Sequence, residues 1–184
     1  EYLLSKLQTE GRNGQFRTPR HIIRMMVEMV APTPDDIIAD PACGTCGFLM
    51  EAGEYVRDNH PDLFNKKKSR EHFMGTPANG STAGAASGGR GMFHGCDFDS
   101  TMLRIGTMNL LLHGIEHPDV RGVDSLSEVN TIRDAYTLIL ANPPFKGSLD
   151  YDATSKDLLT LARTKKTELL FIGNENGGVW AHDG

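Results

Sequence analysis

At 184 residues the chain has the length of one domain and enough material for a sizeable core. A net charge of −5, with Lys66-Lys67-Lys68 and Lys165-Lys166 as the only basic runs, weighs against a free-standing nucleic-acid binder, which usually carries a basic face. Three cysteines give no disulfide framework, and neither a signal pattern nor an apolar run near the roughly 20 residues of a membrane span is found, so a cytoplasmic protein with no membrane association is expected.

Thr18-Pro19 reads as an N-cap followed by proline at the first helical position. Ile22, Ile23, Met25, Met26, Met29 and Val30 then recur at helical spacing, which predicts a helix over 19–30, ended by Pro32 and Pro34. Ile37-Ile38-Ala39 is a short buried strand closing on Asp40-Pro41. The glycines between Asp40 and Gly47 predict a tight turn, and Phe48, Leu49, Ala52, Tyr55 and Val56 open a second amphipathic helix. Over 59–91 the pattern fails. A charged piece, Lys66 to Glu71, precedes a Gly/Ala/Ser-rich stretch from Gly75 to Gly91, and the whole is read as a flexible insertion because such composition buries little apolar surface.

Met92 to Cys96 predicts a second strand, ending in Asp97-Phe98-Asp99, and Met102, Leu103, Ile105, Leu110 and Leu111 a following helix. Val120 to Val123 is a weak third strand ending near Asp124, and Leu138 to Ala141 a strong fourth. Residues 173–184 are an irregular glycine-rich tail. Strand, turn and helix alternate, which predicts an α/β, Rossmann-like fold: a mostly parallel sheet with helices on both faces. A doubly wound sheet seldom stops at four strands, so the domain is expected to be truncated.

The fourth strand runs into Asn142-Pro143-Pro144-Phe145. The first proline strips a backbone donor and fixes φ, so the chain must leave the sheet there as a stiff loop. In open α/β sheets ligands bind at that carboxyl edge. An Asn oxygen and a rigid carbonyl both accept hydrogen bonds from an exocyclic amino group, and a ring beside them stacks on a planar base. Against the plainer reading of helix-breaking prolines and a core Phe, the neighbouring strand ends decide. Asp40, beside a turn with glycines only at 44 and 47, disfavours a pyrophosphate and suits a cationic ligand such as the amino group of an amino acid. Asp97 stands where a carboxylate accepts from both ribose hydroxyls, Phe98 where a ring lies against adenine or in the core, and Asp124 where an acid accepts an adenine amino group. Amino-acid end, ribose and adenine together describe S-adenosylmethionine. Cys43-Gly44-Thr45-Cys46 also reads as a redox pair or half a zinc site, both ranked below a ligand turn carrying two thiols.

The ordered set Gly14-Gln15-Phe16-Arg17-Thr18-Pro19, Asp40 to Thr45 and Asn142 to Phe145 resembles the amino-group DNA methyltransferases. It is most similar to the modification subunit of type I restriction–modification systems, an N6-adenine methyltransferase; Thr101 to Ile115 and Thr164 to Phe171 add to the likeness. The resemblance implies S-adenosylmethionine as cofactor, flanked at its methionine end by Gln15, Phe16, Thr18 and Pro19. Asp40, Ala42, Cys43, Gly44, Thr45 and Gly47 would form its cradle, and Asp97, Phe98 and Asp124 would hold ribose and adenine. Asn142 and the Pro143 carbonyl, with Pro144 and Phe145, would hold the N6 of an adenine flipped out of double-stranded DNA, with no metal. Implied partners are the DNA-specificity and restriction subunits of a prokaryotic system. The family usually has Gly where this chain has Cys46, so a side chain there is expected to crowd the cofactor. Two other readings are a protein-glutamine methyltransferase, which also uses an Asn-Pro-Pro loop but usually with Tyr after it, and a non-catalytic scaffold subunit. A dinucleotide oxidoreductase lacks its glycine spacing.

Overall fold

The structure, a computed structural model, describes residues 17–75, 91–127 and 136–143. Among these, four short strands, β1 (Ile38–Asp40), β2 (Phe93–Asp97), β3 (Asp119–Gly122) and β4 (Leu138–Ile139), pair in parallel in the order β3-β2-β1-β4. β1 is interior and buried at all three residues, as an apolar run with neighbours on both edges should be. Ile38 lies opposite both Phe93 and Leu138, and Asp40 opposite Gly95. From β1 the chain steps outward through β2 to β3, then returns to the other side of β1 as β4. The strand order therefore reverses between β1 and β4, and the crevice at their carboxyl ends is the switch point where such sheets bind ligands.

The helices are α1 (Arg20–Val30), α2 (Gly47–Asn59), α3 (Lys67–Met74) and α4 (Ser100–Leu112), with a 3-10 turn at Pro61–Asn65. α1 buries Ile23 and Val27 against the start of α2, so closely that a Cβ at Gly47 would sit 3.1 Å from Ile23 Cδ1. α4 is capped by the Asp99 carboxylate, which accepts from the amides of Thr101 and Met102. β4 is fastened to β1 from its first residues. Thr137 Oγ1 accepts from the Ile37 amide at 2.9 Å and donates to Asp36 at 2.7 Å, and the Leu140 amide donates to Ala39 O at 3.0 Å. β4 thus ends two residues before the predicted limit, yet its pairing with β1 runs on through Leu140.

Two expectations are corrected. The α1 N-cap is Pro19, with no side-chain cap, and the Thr18 hydroxyl accepts from Asn142. The first half of the expected insertion over 59–91 is not loop: Leu63 and Phe73 are buried in the core. Phe73 meets Phe64 and Phe93 edge-on, at ring separations of 5.5 and 5.3 Å. The backbone is fixed as well, with the Met92 amide donating to His72 O and the His117 amide to Met74 O. Residues 76–90 and the tail 173–184 lie outside the described residues. Phe73→Ala should lower unfolding free energy in urea by about 3–5 kcal/mol, the usual cost of emptying a buried aromatic site; a flexible segment would show almost no change.

Candidate active site

The β1–α2 turn is built for close approach. Gly44 adopts φ +49, and a Cβ placed on it would meet nothing within 4 Å, so this corner faces open space. Four hydrogen bonds from three parts of the fold hold it. Asp97 Oδ2 accepts from the Gly44 amide at 2.9 Å, and the Cys43 amide donates to Cys96 O at 2.9 Å, both from β2. Asn109 of α4 donates to Thr45 O at 3.0 Å. Ser125, after β3, donates to Pro41 O at 2.5 Å. Asn109 and Ser125 escape a sequence reading. Asn109 leaves one weak signal, a poor helix former placed amid apolar residues, whereas Ser125 leaves none.

Asp40 closes β1 and is 2 % exposed. Burial pushes its carboxyl up to about 7, aided by the nearby Asp97 charge and opposed by the hydrogen bond from the Ala42 amide. Near neutrality this group is poised between charged and uncharged, so a cation brought beside it would favour the ionised form. Asp97 also accepts from the Asp99 amide, at 2.8 Å through Oδ1. Both its oxygens therefore serve the backbone, each keeping a second acceptor position. Phe98 is 79 % exposed, which removes it from the core. Asp124 turns back on its own loop, accepting from the Leu126 amide at 2.9 Å.

The two thiols of the turn do not face the open side. Cys46, at φ 59, is fully buried, and a Cβ on Gly106 of α4 would lie 2.6 Å from its Sγ. The αL backbone directs the Cys46 side chain into the packing of the turn on α4. The Cys43 thiol is raised far above its ordinary range, through its hydrogen bond with Cys46, burial and neighbouring acids. Such a thiol is a poor thiolate source. Among the described residues no group of three or more His, Cys, Asp or Glu is arranged to hold a metal ion.

Across the switch point, Asn142 and Pro143 follow β4, half-buried. Asn142 Nδ2 donates to Thr18 Oγ1 at 2.9 Å. The fold thus gathers Thr18 and Pro19, Asp40, Ala42 to Thr45, Asp97 and Asn142 around one sheet edge. Gly47 packs against Ile23 of α1, and Asp124 lies on the loop after β3, next to the Ser125 that reaches Pro41 O. Gln15, Phe16, Pro144 and Phe145 lie outside the described residues.

Comparisons with known proteins bear on the family and the fold. The family described as N-6 DNA Methylase matches residues 1–174. The EcoEI type I restriction enzyme methylase subunit of Escherichia coli is 30 % identical over 174 residues, covering 94 % of this chain and 31 % of that protein. The type II methyltransferase M.MamI of Microbacterium ammoniaphilum is 30 % identical over 177 residues, 90 % of this chain and 42 % of its own length. The chain therefore spans well under half of these relatives. The crystal structure of the EcoKI M protein superimposes with a TM-score of 0.66 at 24 % identity, over 94 % of this chain and 33 % of that one, which extends the likeness to the fold. With a parallel α/β sheet of the S-adenosylmethionine-dependent methyltransferase type and a family match over nearly its whole length, the chain belongs to the N-6 DNA methylase family.

Proposed function

We propose that the chain forms the catalytic core of an enzyme that transfers a methyl group from S-adenosylmethionine to the N6 amino group of adenine in DNA, as the modification subunit of a type I restriction–modification complex. One observation carries the reading: the glycine turn after β1 and the Asn142 loop after β4 flank the same switch point of the sheet. The residues fit the cofactor. Gly44 leaves room at the turn, Asp40 offers a carboxyl that ionises readily beside a cation, Asp97 keeps acceptor positions for ribose, and Phe98 offers an exposed ring.

When bound, the cofactor supplies an electrophilic sulfonium methyl. The chain's own part is to hold the base. Asn142 Oδ1 and the Pro143 carbonyl accept from the N6 hydrogens and keep the nitrogen electron density available for in-line attack; Phe145 stacks on the flipped ring. Pro143 lacks an amide hydrogen and stiffens the loop, so that little motion remains to be frozen during transfer. Most of the catalysis is positioning.

The acidic net charge of −5 supports a reading in which most of the phosphate grip comes from another chain, such as the DNA-specificity subunit, or from a further segment, within a prokaryotic cytoplasm that also holds the restriction subunit. The names of the relatives, restriction-enzyme methylase subunits among them, favour DNA over a protein glutamine as target. The test is a calorimetric titration of the full chain with S-adenosylmethionine, followed by labelled methyl transfer to unmethylated DNA with the specificity subunit present. Binding and transfer are both expected. Binding without transfer would assign the chain a scaffold role, and label in protein would assign it to glutamine.

A further inference from the structure

The hydroxyl that the sequence offers as a helix cap is turned elsewhere. Thr18 Oγ1 accepts from Asn142 Nδ2 at 2.9 Å, across 124 residues of chain, while α1 begins with no side-chain cap. The consequence for Asn142 is chemical. A primary amide has a donor end and an acceptor end, and its terminal torsion has a broad, roughly two-fold profile, so a side chain left to itself presents either end. Only the oxygen end can accept from an amino group. With its nitrogen taken by Thr18, the amide has its oxygen on the other side.

Thr18 is itself well anchored. The helix it precedes docks through buried Ile23 and Val27, and Arg20 donates to Glu51 at 3.3 Å and Glu54 at 3.0 Å on α2. The loop backbone is stiffened by Pro143. The side-chain torsions are therefore the remaining freedom of Asn142, and among the described residues the Thr18 hydroxyl restrains them. We infer that Thr18 is a positioning residue: its hydroxyl fixes the amide of Asn142 so that the carbonyl oxygen faces the target amino group. This role rests on the proposed function, and it replaces contact with the cofactor as the main task of Thr18.

Two substitutions and two readouts test it on the full chain assembled with its partner subunits. Thr18→Val keeps the shape and removes the acceptor; Thr18→Ser keeps the hydroxyl. Thr18→Val should lower kcat for methyl transfer about tenfold, the size of one net hydrogen bond, with KM for S-adenosylmethionine unchanged within about twofold. Thr18→Ser should recover most of the rate. In asparagine-labelled protein, the Asn142 NH2 protons should be protected from exchange in the wild type and Thr18→Ser, and lose protection in Thr18→Val.

A raised KM with unchanged kcat would overturn the inference in favour of a cofactor contact. NH2 protons that exchange equally fast in wild type and Thr18→Val would remove the hydrogen bond itself. A wild-type complex that transfers no methyl to DNA overturns the proposed function and the positioning role with it, whereas the exchange readout reports the contact independently of any reaction.

Discussion

Asn142→Ala is expected to cut kcat for methyl transfer by about a hundredfold or more, the usual scale for removing a preorganised polar group from the reacting centre. Affinity for S-adenosylmethionine should hardly move, because the proposed cofactor cradle draws on β1, β2 and their turns, which have their own hydrogen bonds. The stability cost should be small, about 1 kcal/mol, since the substitution removes one half-buried hydrogen bond, to Thr18, and no core volume. Single-turnover kinetics with saturating cofactor separates these effects. A loss confined to kcat places Asn142 at the reacting amino group. A loss confined to cofactor affinity would move it to the cradle.

Asp40 should make both stability and cofactor binding depend on pH around neutrality. In the unfolded chain an aspartate ionises near about 3.9. In the fold, burial holds it protonated to about 7, with Asp97 adding to the shift. A folded value above the unfolded one means that the stabilising contribution is full below about pH 4 and is lost as pH rises to about 7. Three units correspond to about 4 kcal/mol at most, as an order of magnitude. Asp40→Asn should remove this slope, raise stability at pH 8, and keep the hydrogen bond from the Ala42 amide. Cofactor binding should show the opposite trend. A cation beside Asp40 draws out its proton, so affinity should rise from pH 6 to pH 8 in the wild type and be weak and flat in Asp40→Asn. Calorimetry in two buffers of different ionisation enthalpy would register the released proton at pH 6. No proton release, with a cofactor affinity independent of pH, would separate Asp40 from the cationic end of the ligand.

β1, β2 and β4 were legible because a parallel sheet buried on both faces writes itself as short apolar runs, and each of these runs leads to an acid or an Asn-Pro step, whereas β3 is polar and partly exposed. Asp40, Asp97 and Asn142 could therefore be named from the sequence with their places at the sheet edge. What escaped were contacts that join distant segments. Thr18 has the local signature of a cap, and nothing in its neighbourhood tells that a residue 124 positions on takes its hydroxyl. Leu63 and Phe73 sit in a charged, low-hydropathy stretch, and the burial of Phe73 comes from distant partners such as Phe93 rather than from period. Phe98 follows a strand and reads equally as core or ligand platform until its exposure is known. Cys46 looked obstructive because sequence does not report φ; its αL backbone turns the side chain toward Gly106.

In the proposed function, the β1 turn and the Asn142 loop bring a methyl donor to an adenine amino group. Nucleoside analysis of unmethylated DNA, after incubation with labelled S-adenosylmethionine and the assembled complex, tests it most directly. Label in N6-methyladenine is expected for the wild type and almost none for Asn142→Ala. Label in cytosine, or N6-methyladenine formed as fast by Asn142→Ala as by the wild type, would contradict it.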